Sequence, residues 1–294
     1  MRKRKWGLAV FAILGISMAA VQLLKQKPKN IESPLHRKGM FEWKEERIEQ
    51  PEIAGEIIDQ FQITDWYQEL GLPIEHKKTA QFVKQLHGQN VKVYALVGET
   101  DWGYESEGQS LIQYLEELVQ YNKKRMPAER FDGVMVDVEP YTRSRWKKDP
   151  EENMKLYVSG MIAAYRFAQE HDLIFIACIP RHYDDQGLTQ QLETLIRDGC
   201  DEVAVMDYDC GAEAEKIETE AQLAAKYDKA LHCILEFQEV GKHGLTEDKT
   251  YRNKGLAAAE VAWEKVDQAF PEMRIVHDYH WSMPLMEMMK EDSE

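Results

Sequence analysis

Residues 131–139, FDGVMVDVE, decide how the chain is read. Val134, Val136 and Val138 recur with the strand period of two, and the run ends on acids. Side chains two apart on an extended chain point the same way, so Asp137 and Glu139 share a face while Val138 turns to the other. At about 3.3 Å per residue their Cα atoms stand roughly 6.6 Å apart.

Working outward, runs of the same kind recur at 39–43 (GMFEW), 61–66 (FQITDW), 91–98 (VKVYALVG), 173–180 (LIFIACIP), 202–209 (EVAVMDYD), 231–238 (LHCILEFQ) and 273–281 (MRIVHDYHW). Between them, residues 51–60, 75–88, 107–124, 151–170, 187–198, 213–228 and 255–269 space apolar side chains three and four apart, the helical period. Asp149-Pro150-Glu151-Glu152 sets a capping acid and an N1 proline ahead of acids in a first turn, while Thr189 and Thr219 are weaker cap candidates. Strands alternating with helices of this length require crossover connections and hence a parallel sheet. Eight such units predict an α/β fold, a single (β/α)8 barrel over residues 39–290, close to the roughly 250 residues typical of that architecture. The rival, an open doubly wound sheet, lacks its glycine-rich turn after the first strand.

The whole chain has 294 residues, 44% hydrophobic and 30% charged, which excludes a disordered chain, a collagen-like repeat and a polytopic membrane protein. Its formal charge is -15, and residues 1–30 hold seven Lys or Arg and no acid, so the remainder is more acidic still. Such a surface repels a phosphate backbone, which argues against nucleic acid as a partner and against anionic polymers generally.

Residues 2–5 read RKRK, and Trp6 to Leu24 follow without a charge. Nineteen uncharged positions, of which Ser17 and Gln22 are clearly polar, make a helix of about 28 Å, nearly the roughly 30 Å of a hydrocarbon core, with the basic cluster held on the cytoplasmic side. Residues 1–24 are therefore a membrane-targeting helix, either an uncleaved signal-anchor or a signal peptide cut near Ser17-Met18-Ala19. Residues 25–38 form a polar linker. The expected location is the cell membrane, single-pass with the barrel outside the cytoplasm, or secretion if residues 1–19 are removed. Cys178, Cys200, Cys210 and Cys233 lack metal-finger spacing, and buried free thiols are expected, with a disulfide the alternative.

Barrel enzymes carry their reacting groups at the C-terminal strand ends. Two carboxylates aimed into one low-dielectric mouth cannot both ionise freely, and the one that keeps its proton suits a general acid. The alternative is that Asp137 and Glu139 cap the next helix or pair with Arg143 and Arg145.

The run Asp132-Gly133-Val134-Met135-Val136-Asp137-Val138-Glu139 resembles the fourth-strand signature of the family 18 glycoside hydrolases, the chitinase-like enzymes, written D-G-x-D-x-D-x-E. Met206-Asp207-Tyr208-Asp209 is similar to their M-x-Y-D motif on strand six, and Trp281 ends strand eight, where they place a tryptophan under the sugar. The resemblance implies that Glu139 is the general acid and that Asp137 holds a substrate acetamido group whose own oxygen attacks the anomeric carbon. It further implies that Tyr208 bonds the developing oxazolinium and that Asp209 orients the sugar, with retained configuration and neither cofactor nor metal. Two positions depart from the pattern: Met135 replaces its first Asp, and Pro140-Tyr141 inverts the usual Tyr-Pro order.

Glu139-Pro140 is also similar to the Asn-Glu-Pro of cellulase-type barrels, which pair that acid with a nucleophilic Glu ending strand seven; here that residue is Glu236, while Val138 replaces the Asn. Trp43, Trp66, Trp102, Tyr183 and Trp281 are candidate sugar-stacking residues, and Glu42, Asp65, Asp101 and Arg181 candidate hydroxyl binders. Met206 joins the substrate-binding set through its motif. His277, Asp278 and His280 invite a metal reading that strand alternation opposes, since His277 faces away from the other two. The expected function is a membrane-tethered glycosidase acting on an oligosaccharide or polysaccharide that contains N-acetylhexosamine. The alternatives are the two-glutamate glycosidase and a non-catalytic glycan-binding barrel, which Met135 favours.

Overall fold

Eight parallel strands pair in chain order and close on themselves in the computed structural model, which describes residues 37–75 and 77–291. They are β1 (Arg37–Glu42), β2 (Asp65–Glu69), β3 (Lys92–Val97), β4 (Gly133–Val136), β5 (Ile174–Pro180), β6 (Glu202–Met206), β7 (Ala230–Glu236) and β8 (Ile275–His280). Closure is made where β8 pairs with β1, from Arg37 opposite Val276 to Met40 opposite Tyr279. The crossovers carry α1 (Pro51–Phe61), α2 (Lys77–His87), α3 (Gln109–Lys123), α4 (Pro150–Gln169), α5 (Thr189–Asp198), the short α6 (Glu213–Lys216) with α7 (Glu218–Lys226), and α8 (Leu256–Ala269); α9 (Ser282–Glu291) follows β8.

The strand alternation sorts side chains into two cores. On β3, Val93, Ala95 and Val97 face the helices, while Tyr94 and Leu96 face the lumen. The helices meet the outer face with their own apolar stripe: α5 buries Leu192, Leu195 and Ile196, each contributing roughly 2 kcal/mol. Inside, Phe41, Tyr67, Leu96, Met135, Ile176 and Ile234 fill the barrel with hydrocarbon, so the lumen is a packed core rather than a pore. At α4 the expected cap forms: Asp149 accepts from the Glu152 N–H at 3.1 Å, and Pro150 takes the first position.

Several local expectations are corrected. β1 begins at Arg37, inside the stretch read as linker, because Arg37 is tied to Asp65 at 2.7 Å and to Glu202 at 3.0 Å. β2 occupies 65–69 rather than 61–66: Phe61 ends α1, and Gln62 adopts a left-handed φ of 55° and donates its N–H to Ile58. Thr189 opens α5 without a capping bond from its predecessor, and Thr219 lies within α7. α9 was hidden in the sequence by Pro284 and a methionine run, yet it buries Leu285 and Met288. All four cysteines are free, with Cys178, Cys200 and Cys233 buried.

The membrane-targeting segment 1–24 lies outside the described residues. Among the described residues no helix is long and apolar enough to cross a membrane.

Candidate functional site

β4 leaves the ladder at Val136, yet its alternation persists through the exit. The Asp137 N–H still bonds the Val97 carbonyl at 2.8 Å, after which the chain enters a single 3-10 turn at Pro140–Thr142. A Cβ at Gly98 would lie 1.8 Å from the Asp137 carbonyl oxygen, so only glycine lets the end of β3 approach this closely. Val138 is consequently buried on the helix side, while Asp137 and Glu139 both line a cavity of about 610 Å³ at the C-terminal mouth.

The cavity is built from six strand ends, with Gly98 and Thr100 following β3 and Asp137 and Glu139 following β4. Trp43 follows β1, Met206 and Tyr208 leave β6, Glu236 ends β7, and His280 and Trp281 close β8. Gln238, His243 and Leu245, from the connection after β7, complete one side, and Thr100 and Thr142 another. Directly below, Met135 sits in the hydrocarbon of the lumen, in the position the resemblance assigns to a carboxylate.

Asp137 Oδ1 and the Tyr208 hydroxyl oxygen are shielded from solvent and have no hydrogen-bond partner. Burial, reinforced by the neighbouring Glu139, pushes Asp137 up to about 7. Burial likewise holds the Tyr208 hydroxyl protonated, well above its ordinary range, so it stands as a donor. The Tyr141 hydroxyl donates to Glu139 Oε1.

Glu236 is wired differently. Its Oε1 accepts the backbone N–H groups of Phe237 and Gln238, each at 2.8 Å, and its Oε2 accepts from His280 Nδ1 at 2.9 Å and the Gln238 amide at 3.1 Å. Burial alone would raise this carboxyl, but His280 and Gln238 hold it below its usual range, so it is ionised.

Asp209 lies beside the main cavity, ion-paired to both Arg181 and Lys249. These three, with Tyr141 and His182, line a smaller hollow of about 230 Å³ that also touches Glu139 and Tyr208. Of the residues singled out from sequence, Asp137, Glu139, Tyr208, Met206, Trp43, Glu236 and Trp281 thus share one cavity, and Arg181 and Asp209 border it.

Others fall elsewhere. Trp102 is half-buried with its ring 6.3 Å from Tyr114 and packs into the helical core. Trp66 is fully buried against Phe82, because the shift of β2 puts it at the strand start facing outward. Tyr183 is buried and stacked on Trp146 at 5.7 Å. Glu42 faces the helices, where it pairs with Arg47 at 2.7 Å and accepts from Ser282 at 2.7 Å. Asp65 sits at the opposite end of the barrel with Arg37, and Asp101 is exposed on Arg143 at 3.0 Å. His277 stacks on Trp263 outside the barrel at 5.1 Å, whereas Asp278 and His280 point into the lumen, where Asp278 is 2.8 Å from His232.

Sequence reasoning missed Tyr141, Gln238, His243 and the part His280 plays. The inverted Pro-Tyr order was the available signal for Tyr141, since it puts a hydroxyl two residues beyond Glu139. Gln238 and His243 come from the connection after β7, which carries no periodicity to read, and His280 ends β8, where its bonds to Glu236 and Trp43 form only once the barrel closes.

No protein-family model matches the chain, and no curated protein matches it significantly. Solved structures share its fold. A β-glucuronidase from Bacteroides uniformis superposes with a TM-score of 0.55 at 10% identity, covering 83% of this chain and 30% of that one. A variant of a family 18 chitinase from Cycas revoluta, in complex with (GlcNAc)4, superposes with a TM-score of 0.51 at 12% identity, covering 88% of this chain and 100% of that one. The shared feature is the closed barrel on which both glycosidases are built.

Proposed function

We propose that the chain is a retaining glycosidase of the chitinase-like type, acting on a glycan that contains N-acetylhexosamine. The observation that carries this reading is the pair Asp137 and Glu139 lining one cavity with Tyr208, where an Asp137 oxygen and the Tyr208 hydroxyl are buried without a hydrogen-bond partner. An acetamido group offers one N–H donor and one carbonyl acceptor, which complements that carboxyl oxygen and that hydroxyl. Trp43 and Trp281 supply flat apolar faces of the kind that pack on sugar C–H groups.

In this mechanism the Glu139 carboxyl protonates the glycosidic oxygen as the substrate's acetamido oxygen attacks the anomeric carbon, and the glycosidic bond breaks. The positive oxazolinium that forms is bonded by Tyr208 and balanced by ionised Asp137. Glu139, now a carboxylate, takes a proton from water as that water attacks the anomeric carbon and the bond from the acetamido oxygen to that carbon breaks, which restores the acid and the acetamido group and, by a second inversion, retains configuration. Burial and the neighbouring Glu139 raise Asp137 to about 7, so the site keeps a proton into the neutral range, and its passage from Asp137 to Glu139 loads the acid and leaves Asp137 ionised. No protein nucleophile is required, which agrees with Glu236 having all its lone pairs engaged.

We also infer, from the basic cluster and apolar run of residues 2–24, that the barrel works outside the cytoplasm, tethered or released.

The test is hydrolysis of chromogenic N-acetylglucosaminides by the full chain and by Glu139→Gln, Asp137→Asn and Glu236→Gln. Loss in the first two, with Glu236→Gln retaining at least a tenth of the rate, supports substrate assistance. Loss in Glu236→Gln with Asp137→Asn active moves the assignment to the two-glutamate mechanism. A parent that binds chitooligosaccharide without cleaving it is a glycan-binding barrel.

A further inference from the structure

His280 is the one cavity group whose two ring nitrogens are committed to different walls. Nδ1 lies 2.9 Å from Glu236 Oε2, and Nε2 lies 3.2 Å from the Trp43 indole nitrogen. An indole N–H can only donate, so Nε2 is the acceptor and the ring's single proton sits on Nδ1, given to Glu236. We propose that His280 is a positioning residue: as a neutral imidazole it fixes the Trp43 wall against β8, and a proton arriving at Nε2 releases that wall.

The surroundings put the two occupants of Nε2 in competition. Glu236 faces the ring from β7, and Asp137 and Glu139 from the end of β4; Phe41 and Trp43 pack on it from β1 at 5.5 and 6.5 Å between ring centres, and Tyr208 from β6 at 5.8 Å. Burial opposes a charge on the ring, but the three carboxyl groups outweigh it and draw a proton towards the imidazole. Once Nε2 carries that proton, two N–H donors confront each other across 3.2 Å, and the indole must turn away. Trp43 is half-exposed and borders open cavity, so it has space to do so. The consequence for glycan affinity rests on the glycosidase reading, whereas the proton-driven release of Trp43 does not.

The experiment reads the two separately in the full-length protein. Emission of residue 43 is isolated by subtracting the spectrum of Trp43→Phe and followed from pH 8 to 5. The expected result is a one-proton transition with a shift of the emission maximum to longer wavelength on acidification. In His280→Gln, with His280→Gln/Trp43→Phe as its subtraction control, the transition is absent, because an amide donates to Glu236, accepts from the indole and does not titrate. Glu236→Gln removes a facing charge and moves the midpoint down by about one pH unit or more. A transition that persists in His280→Gln, or a midpoint that ignores Glu236→Gln, overturns the proposal. In parallel, the Kd for (GlcNAc)4 is expected to rise at least fivefold from pH 7.5 to 5 in the parent and less in His280→Gln. Absence of glycan binding at every pH sinks the glycosidase reading while the emission transition still decides the switch.

Discussion

At the N-terminal end of the barrel Arg37, Asp65, Glu202, His232, Asp278 and Tyr67 use up one another's bonding capacity; at the C-terminal end Asp137 and Tyr208 each leave an oxygen without a partner. In the lower layer Arg37 joins Asp65 and Glu202, His232 bridges Glu202 at 2.7 Å and Asp278 at 2.8 Å, and Tyr67 donates to Asp278 at 3.0 Å. Gly39 makes room for it, since a Cβ there would lie 2.0 Å from Asp278. Hydrocarbon from Met135, Leu96 and Ile176 separates this layer from the mouth. A buried polar cluster whose members all have partners holds the fold, whereas one beside a cavity with unfilled atoms has kept its capacity for something that arrives.

The strongest way to break this contrast is to exchange the effects. Glu139→Gln is expected to lower kcat about 10³-fold, within the usual range for a lost general acid, while the melting temperature stays within about 2 °C. Unfolding at similar temperature with full activity would remove the mouth from the chemistry. Conversely, Arg37→Met leaves Asp65 and Glu202 short of their charge partner and should cost about 3–5 kcal/mol in chemical denaturation, with kcat per folded molecule preserved. A large kcat loss without destabilisation would show that the lower layer is not purely structural.

Acidity separates the layers next. Burial opposes protonation of His232, but Asp278 and Glu202 overcome it and raise the ring to about 9, above the ordinary value of about 6.5. Its contribution is therefore complete below about pH 6.5 and lost as pH rises through about 9. Thermal melts are expected to fall across that window in the parent and to flatten in His232→Gln. Activity has a different limit: burial and Glu139 place Asp137 at about 7, so turnover should decline above that pH as the pair gives up its proton. In His232→Gln, where stability no longer falls across that window, activity should still decline above about pH 7; a decline that disappears with His232 would contradict two independent layers.

Smaller effects sharpen the boundary of the mouth. Tyr208→Phe removes one donor to the substrate and is expected to cost about tenfold in kcat/KM, equivalent to roughly 1.4 kcal/mol. Arg143→Ala breaks only an exposed pair with Asp101, and should change stability by less than about 0.5 kcal/mol and kcat/KM by less than twofold.

Most of the architecture was legible because strand and helix periods are written residue by residue. The β4 run announced its own alternation, and α4 its cap. β2 was misplaced because Phe61 and Ile63 satisfy a strand pattern as well as the end of α1 does, and only the left-handed turn at Gln62 separates them. α9 escaped because it follows the last strand, with proline in its first turn. Aromatic residues were the least readable part of the site. Trp43 and Trp281 border the cavity while Trp66 and Tyr183 are fully buried, and nothing local to any of the four distinguishes them.

The amino-acid order by itself determined the eightfold alternation and the shared direction of Asp137 and Glu139, because both follow from backbone geometry over two to four residues. Tertiary structure alone decided that Glu236 is saturated by its neighbours, that His280 stands between Glu236 and Trp43, and that Met135 lies in hydrocarbon beneath the acids. Those outcomes depend on which side chains meet after the barrel closes, between residues as far apart in the chain as Trp43 and His280, and no short-range pattern encodes whether a buried polar atom ends with a partner or without one.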